Sequence, residues 1–165
     1  MVYLDKKNFL VLTFVVSLFA LITALFIQYI LGYQPCNLCL IERIPYIGAL
    51  IIIVINYKFN HFEKYLILSL IIIFFVSALI SLYHLGIEQG FIMESPVCDL
   101  KNNSKVLSKE EILQQFQEKI VSCKDVAFKI FGLSLTTYNI IISLLLLIVS
   151  TKVYLSYEKN KQIKS

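Results

Sequence analysis

Residues 36–57 read CNLCLIERIPYIGALIIIVINY, an apolar stretch that opens with two cysteines and a Glu-Arg pair. A helix that began only at Pro45 would hold about 13 residues before Tyr57 and extend about 19 Å, which is too short to cross a bilayer. The helix is therefore predicted to begin near Cys36, with Pro35 as a residue that favours helix initiation. Pro45 then lies inside the helix, where its missing N–H predicts a kink.

Three further apolar runs accompany this one. The four runs lie at about 9–31, 38–57, 65–85 and 134–154, each close to the roughly 20 residues that span hydrocarbon. The 165 residues are 58% hydrophobic and 16% charged, with a mean hydropathy of +0.78, which is far from the balance of a soluble domain. The sequence predicts an all-α integral membrane four-helix bundle, formed as a single domain over residues 1–165. The first run is longer than the core of a signal peptide and lacks a cleavage site before Gln34, so it is read as a retained helix.

The distribution of lysines predicts the orientation of the bundle. Short cytoplasmic segments of membrane proteins carry an excess of Lys and Arg. The two tails and the middle connection hold eight lysines against three acidic residues, whereas residues 86–133 hold six lysines against seven acidic residues. Both termini are therefore expected to face the cytoplasm, with outer loops at about 32–37 and 86–133. No basic stripe interleaved with aromatic residues indicates nucleic acid as a partner, so membrane lipid is the expected surrounding.

The second outer loop contains its own helix signal. Ser108 and Glu111 have the spacing of a capping box. Apolar residues then recur at helical spacing among polar ones, at Ile112, Phe116 and Ile120. A short amphipathic helix is predicted here, with its apolar stripe either among the lipid head groups or packed on the other outer loop.

All four cysteines fall on the outer side, Cys36 and Cys39 at the first connection and Cys98 and Cys123 in the second. Disulfides persist in oxidising compartments, so this placement favours paired cysteines. A zinc site is disfavoured, and no metal is expected, because one pair alone has Cys-x-x-Cys spacing and no histidine lies beside either pair in the sequence. An inert staple remains an alternative for Cys98 with Cys123. The ring closed by Cys36 and Cys39 constrains little loop entropy and is more typical of redox chemistry.

The start of the second helix also predicts which thiol is reactive. The positive end of the helix dipole and the guanidinium of Arg43, at i+4 from Cys39, both favour thiolate over thiol. We therefore expect Cys39 to be the cysteine with the lowered pKa. Arg43 has a plainer alternative role, that of an arginine that snorkels to the membrane interface.

The third helix ends at Tyr83 and His84, at the same depth as Cys39 and Arg43. This coincidence predicts a shared pocket for the polar head group of a membrane-soluble molecule, with Arg43 and His84 as binding residues. The alternative is that His84 is a hydrated residue at the interface. Other polar and aromatic residues reach the same face but are ordinary in the aromatic belt of a membrane protein, namely Gln28, Tyr29, Tyr138 and Asn139.

Residues 36–43, CNLCLIER, resemble the Cys-x-x-Cys-x-x-Glu-Arg signature of the disulfide bond formation protein B family. Residues 83–88, YHLGIE, and Cys123 followed by residues 131–134, FGLS, are also similar to that family, and the likeness extends over all four helices and both outer loops. The resemblance implies a bacterial inner-membrane thiol oxidoreductase. It would reoxidise a periplasmic thioredoxin-fold disulfide donor (DsbA-like) and pass the electrons to a membrane quinone, either ubiquinone or menaquinone.

The resemblance also implies a role for each cysteine. Cys98 would form a mixed disulfide with the partner, and Cys123 would be the thiol released by that step. Cys36 would exchange with the pair in the long loop, and Cys39 would hand electrons to the quinone beside Arg43.

Two other functions fit parts of the same pattern. A four-helix scaffold or assembly protein would carry two inert disulfides that resist mild reductant and exchange with no partner. A quinone-linked thiol protein like vitamin K epoxide reductase would also combine four helices with Cys-x-x-Cys. In such a protein the motif is expected towards the end of the bundle instead of after the first helix.

Overall fold

The computed structural model describes residues 6–59, 63–93, 98, 122–124 and 128–164. Within these residues the helices are α1 Lys6–Tyr29, α2 Asn37–Ile41, α3 Ile44–Phe59, α4 Glu63–Glu88 and α5 Leu135–Lys164. Four stretches of the described chain are long and apolar enough to cross a membrane: Lys7–Tyr29, Asn37–Tyr57, Lys64–Glu88 and Leu135–Lys159. The predicted all-α four-helix membrane bundle is therefore confirmed, and the chain is a multi-pass membrane protein.

Two helices extend beyond their predicted ends. Helix α4 continues to Glu88 instead of ending near residue 85, and α5 continues to Lys164 instead of ending near residue 154. The apolar pattern marks the part of a helix that lies in hydrocarbon, whereas the hydrogen-bonded backbone can continue into the polar region. The amphipathic helix predicted in the second outer loop would span residues 108–120, which lie outside the described residues.

The second membrane span is broken into α2 and α3, as the position of Pro45 predicted. Pro45 is the second residue of α3 and has no N–H to donate to the carbonyl of Ile41. The N–H of Arg43 bonds the carbonyl of Leu40 at 3.2 Å, which closes α2 with a tighter turn. As a result Glu42 and Arg43 lie in the turn between the two helices.

The helices pack around an apolar core, with the most extensive contact between α4 and α5. Fully buried side chains in this core include Phe9, Ile67, Leu70 and Phe74. Large apolar residues also cover the outer surface, as expected for a protein whose outer surface meets lipid instead of water.

Small polar residues connect the helices through the interior of the bundle. The hydroxyl oxygens of Ser77 on α4 and Ser143 on α5 lie 2.9 Å apart. The hydroxyl of Tyr46 on α3 lies 3.3 Å from that of Ser143 and donates a hydrogen bond to the side-chain carbonyl of Asn139. Three helices therefore share one chain of hydrogen bonds in a region where water cannot replace them.

A short hairpin precedes α5 and was not predicted from the sequence. Strand β1, Lys129–Ile130, pairs antiparallel with β2, Leu133–Ser134. The turn residues Phe131 and Gly132 both have positive φ, at 49° and 82°, which is the combination that a type I′ hairpin turn requires. The hydroxyl of Tyr138 donates to the carbonyl of Ile130 at 3.1 Å and fixes the hairpin on the first turns of α5.

We predict that Ser143→Ala lowers the free energy of unfolding by about 0.6 to 1.7 kcal/mol, the range found for hydrogen bonds between membrane helices. The substitution removes the contacts of Ser143 with both Ser77 and Tyr46. Equilibrium unfolding in mixed micelles of increasing detergent strength measures the change. Ser69→Ala is the matched control, because the Ser69 hydroxyl bonds the carbonyl of Tyr65 on its own helix. An equal loss in the two variants would contradict the role of Ser143 between helices.

Candidate functional site

All four cysteines meet at one end of the bundle, where α2 begins and α4 ends; we refer to it as the cysteine end. Cys36, Cys98 and Cys123 are buried in one cluster, and Cys39 packs against it. Cys98 and Cys123 form a disulfide. Cys36 and Cys39 are thiols whose Sγ atoms lie 2.6 Å apart. The broken second helix and the disulfide of the long loop thus bring the two pairs into contact.

Of the two cysteines in the first pair, Cys36 lies in the more polar environment. It is the N-cap residue of α2, and its Sγ accepts a hydrogen bond from the backbone N–H of Cys39 at 3.3 Å. The ring nitrogen Nε2 of His84 lies 3.6 Å from the same sulfur. The hydrogen bond from the Cys39 thiol, together with the His84 ring, outweighs burial and lowers the pKa of the Cys36 thiol to about 5.

The sequence predicted that Cys39 is the thiol with the lowered pKa. In the structure, the contacts that stabilise a thiolate lie around Cys36. The expectation for Cys39 rested on Arg43 at i+4. In the structure the break after α2 directs Arg43 elsewhere, and its Nη1 donates to the side-chain oxygen of Gln28 at 2.7 Å. The contact between Cys36 and His84 joins residues 48 positions apart, so helical spacing could not indicate it.

His84 is buried, with 1% of its surface exposed, which rules out the alternative of a hydrated interfacial residue. Its Nδ1 lies 2.9 Å from Oε1 of Glu42 and 3.3 Å from the hydroxyl of Thr136. Its Nε2 faces Cys36 and lies 3.8 Å from Oε1 of Glu88. The ring therefore faces Cys36 and Glu88 through Nε2 and Glu42 through Nδ1.

Glu42 is held at both of its carboxylate oxygens. Oε1 contacts His84, and Oε2 accepts a hydrogen bond from Nδ2 of Asn139 at 3.1 Å. The same Nδ2 donates to Ser81 at 2.7 Å. Asn139 thereby connects the site to the polar chain inside the bundle.

Several residues of the site were not predicted from the sequence to belong to it. Gln28 and Asn139 were attributed to the aromatic belt, whereas both bond residues of the site. Thr136 gave no signal, because its proximity to His84 depends on how α4 and α5 pack. The spacing of His84 and Glu88, which is i and i+4, was a signal that could have placed Glu88 on the same helix face.

A partly open cavity of about 80 Å³ adjoins both cysteine pairs. Its polar lining includes Cys36, Cys39, Arg43, His84 and Glu88, and Cys123 also borders it. The rest of the wall is largely apolar, with Ile27, Phe128 and Leu135. The structure thus brings together the residues that the sequence assigned to a shared pocket.

The site offers three atoms that could bind a metal ion: the sulfurs of Cys36 and Cys39 and a ring nitrogen of His84, all within 4.8 Å of one another. No histidine lies beside the pair in the sequence, but the fold brings His84 close to both sulfurs. Two sulfurs on one tetrahedral zinc ion, with bonds of about 2.3 Å, would be about 3.8 Å apart. The sulfurs here lie 2.6 Å apart, a spacing that favours a pair that interconverts between dithiol and disulfide.

This membrane bundle holds a disulfide against a second cysteine pair, and one member of that second pair, Cys36, has a lowered pKa. These features define a membrane thiol–disulfide oxidoreductase. The chain belongs to the family of disulfide bond formation protein DsbB, whose family model matches residues 6–153. It is also 34% identical over 151 residues to "Uncharacterized protein RP370" of Rickettsia prowazekii (strain Madrid E), with 88% of each chain covered. The family resemblance is therefore confirmed. Membership makes this protein a disulfide oxidoreductase and argues against the inert scaffold and the vitamin K epoxide reductase-like alternative.

We predict that His84→Asn raises the pKa of Cys36 above about 5, while the Cys39 hydrogen bond keeps it below the ordinary thiol value of 9.0. Because the pKa is lowered in the wild-type protein, the thiolate forms at lower pH there than in the variant. The alkylation rate of Cys36 in the reduced protein, followed against pH by mass spectrometry, measures the shift.

Tyr83→Phe is the control for this titration, since Tyr83 is the neighbour of His84 on α4 and lies on the exposed face. The Cys36 titration should be unchanged in that variant. A His84→Asn protein with a wild-type titration would show that the ring does not stabilise the thiolate.

Proposed function

We propose that this protein reoxidises a periplasmic thioredoxin-fold oxidase (DsbA-like) and passes the electrons to a membrane quinone, ubiquinone or menaquinone. It would thereby support disulfide formation in exported proteins at the bacterial inner membrane. The observation that carries the proposal is that all four cysteines meet beside one cavity that also presents Arg43 and His84.

Electrons would pass through four exchanges between sulfur atoms. A thiolate of the reduced partner attacks Cys98, which breaks the Cys98–Cys123 disulfide and releases Cys123. Cys123 then attacks Cys36 of the oxidised first pair and leaves Cys39 as a thiol. The second thiolate of the partner displaces Cys98 and closes the partner's disulfide, and the freed Cys98 attacks Cys123, which restores the Cys98–Cys123 disulfide and releases Cys36. Each exchange breaks one sulfur–sulfur bond and forms one, so no external oxidant is needed until the first pair is fully reduced. The burial of Cys36, Cys98 and Cys123 in one cluster supports this order.

The residues around the cavity suit a quinone head group. A quinone that binds there takes up two electrons and two protons. The planar guanidinium of Arg43 has five N–H donors, of which one bonds Gln28, and it is suited to hold a carbonyl oxygen. His84 closes the other side beside Cys36. The apolar wall formed by residues such as Ile27 and Leu135 suits the ring and excludes water.

Cys36 and Cys39 would have different roles in the last step. Cys39 would be the sulfur from which electrons leave beside Arg43. Cys36, held as a thiolate by its lowered pKa, is the sulfur that closes the disulfide onto Cys39. A thiolate that is already formed attacks without waiting to lose a proton.

Redox potentials also support an acceptor other than glutathione, such as a quinone. A DsbA-like oxidase has a potential near −120 mV, whereas the glutathione pool lies near −180 mV even in the oxidising endoplasmic reticulum. Transfer of two electrons against this difference of about 60 mV would cost about 2.8 kcal/mol. Reoxidation of such a partner therefore requires an acceptor of higher potential.

The orientation forms part of the same proposal. The excess of lysine in both tails and in the connection between α3 and α4 supports cytoplasmic termini. The cysteine end then faces the periplasm, where the partner works.

We predict that Cys98→Ala and Cys39→Ala both abolish turnover with reduced partner and quinone, for different reasons. The first blocks transfer from the partner, and the second blocks transfer to the quinone. Quinone absorbance follows turnover, and thiol trapping shows which pair is reduced. In Cys98→Ala, the pair of Cys36 and Cys39 should stay oxidised when reduced partner is added.

A third variant gives the order of the relay directly. Cys123→Ala leaves Cys98 as a free thiol, which should attack the disulfide of the oxidised partner and form a mixed disulfide with it. This complex should persist, because Cys123 is not there to displace the partner from Cys98, and it should survive electrophoresis without reductant. Reduction of the first pair at the wild-type rate in Cys98→Ala would show that the proposed order is wrong.

We predict that Arg43→Ala raises the KM for quinone, because it removes the positively charged donor beside the head group. Arg43→Lys should restore the KM in part, since an ammonium supplies charge but not the planar set of donors. Initial rates against quinone concentration measure both variants. An arginine that only snorkels to the interface would leave the KM unchanged when replaced by alanine.

A further inference from the structure

Glu88 is a buried carboxylate that the relay of cysteines does not use. It lies at the last position of α4, and 6% of its side chain is exposed. Oε1 accepts a hydrogen bond from the hydroxyl of Thr136 at 2.5 Å. Oε2 is buried and has no hydrogen-bond partner among the residues that the structure describes. Glu88 also lines the cavity that adjoins both cysteine pairs.

Glu42, the second buried carboxylate of the site, differs from Glu88 in its hydrogen bonding. Both of its oxygens have partners, His84 at Oε1 and Asn139 at Oε2. A buried acceptor without a partner is costly, and more so when it is charged. Such groups are rare in proteins, and a catalytic role is one of the reasons for which they are kept. Glu42 is thus held in place, whereas Glu88 lines the cavity and has one oxygen that no described residue holds.

The proposed reduction of a quinone needs protons inside this cavity. Arg43 remains protonated in proteins and is a poor proton donor. Cys36 is a thiolate at neutral pH because its pKa is about 5, so its proton leaves the sulfur before the electrons do. His84 lies between Cys36 and Glu88, with Nε2 at 3.6 Å from the sulfur and at 3.8 Å from Oε1 of Glu88. The 3.8 Å separation is an ion-pair distance and longer than a hydrogen bond, so His84 brings the Cys36 sulfur and the Glu88 carboxylate close to the same nitrogen.

We propose that Glu88 is the proton-transfer residue of the site, which accepts protons released by the cysteine pair and gives them from Oε2 to the reduced quinone. This inference rests on the proposed transfer of electrons to a quinone. The reduced pair, a Cys36 thiolate and a Cys39 thiol, loses two electrons and one proton and forms one sulfur–sulfur bond, and the second proton is the one that Cys36 has already passed to Glu88. The quinone gains the same two electrons and two protons and forms two O–H bonds. Glu88 carries the protons one at a time and returns to its initial state after each turnover.

The kinetic test is single-turnover oxidation of the prereduced protein by quinone. Glu88→Gln keeps the size of the side chain and cannot carry a proton, so the rate should fall at least about 100-fold, the usual contribution of general acid–base catalysis. The KM for quinone should change little, in contrast to Arg43→Ala. Reduction of the Cys36 and Cys39 pair by the reduced partner should proceed at the wild-type rate, which also shows that the variant is folded.

Chemical rescue separates proton transfer from a structural role. Glu88→Ala opens space beside Thr136 for a small carboxylic acid, so formate or acetate should restore part of the rate in proportion to its concentration. Chloride at equal ionic strength is the control and should restore none. A residue that only stabilised the packing of α4 on α5 would not be rescued by an acid.

A second measurement does not depend on turnover. An apolar carbodiimide, which reacts with buried carboxyl groups, should label Glu88 in the oxidised protein, as read by mass spectrometry. Bound quinone should protect it. Glu42 is the internal control and should react more slowly, because both of its oxygens are hydrogen-bonded.

The outcomes distinguish this inference from the proposed function. If wild-type protein transfers no electrons to quinone, the proposed function is wrong and the inference is lost with it. If wild-type protein reduces quinone and Glu88→Gln does so at the same rate, the inference alone is wrong. Labelling of Glu88 that quinone does not reduce would also overturn it, since Oε2 would then not face the bound head group.

Discussion

Glu42 and His84 face each other in the interior of the bundle, with 2.9 Å between Oε1 and Nδ1. Glu42 lies in the turn between α2 and α3, and His84 lies in the last turns of α4, so this contact joins two membrane spans. Asn139 adds α5 through its bond to the second carboxylate oxygen. In a membrane neither group could turn to water, and loss of one partner would leave the other unsatisfied at a cost of about 1 to 3 kcal/mol or more. This contact therefore ties three membrane spans together at the cysteine end.

The broken second span makes the contact possible. Pro45 cannot donate to Ile41, so the chain leaves α2 after five residues and starts α3 after a short turn. In an unbroken helix, Glu42 and Arg43 would be consecutive residues with regular helical geometry. In the turn they diverge, Glu42 towards His84 and Arg43 towards Gln28 on α1. Glu42 thereby holds the histidine, and Arg43 borders the cavity.

The site combines two carboxylates and one imidazole around a thiolate, and the two carboxylates differ in how they are bonded. Glu42 is fully hydrogen-bonded and fixes the orientation of the His84 ring. Glu88 lines the cavity, and one of its oxygens has no partner among the described residues. Environment, more than residue type, separates a carboxylate that holds structure from one that is available for chemistry. The same logic applies to the thiols, since Cys36 and Cys39 are three residues apart and have different surroundings.

The sequence by itself determined the class of fold and the position of the first cysteine pair. The lengths of four apolar runs, set by the thickness of hydrocarbon, predict four spans, and the arithmetic around Pro45 places Cys36 at a helix start. The motif CNLCLIER, together with four spans and two cysteines in the second outer loop, indicated the family. Tertiary structure alone decided that Cys36 and not Cys39 receives the stabilising contacts, that Gln28 and Asn139 belong to the site, and that Glu88 faces the cavity. These features depend on the rotation of each helix about its axis, which packing between distant segments sets. The apolar residues surround each helix because lipid and protein interior are equally apolar, so the hydrophobic pattern could not indicate which face turns inward.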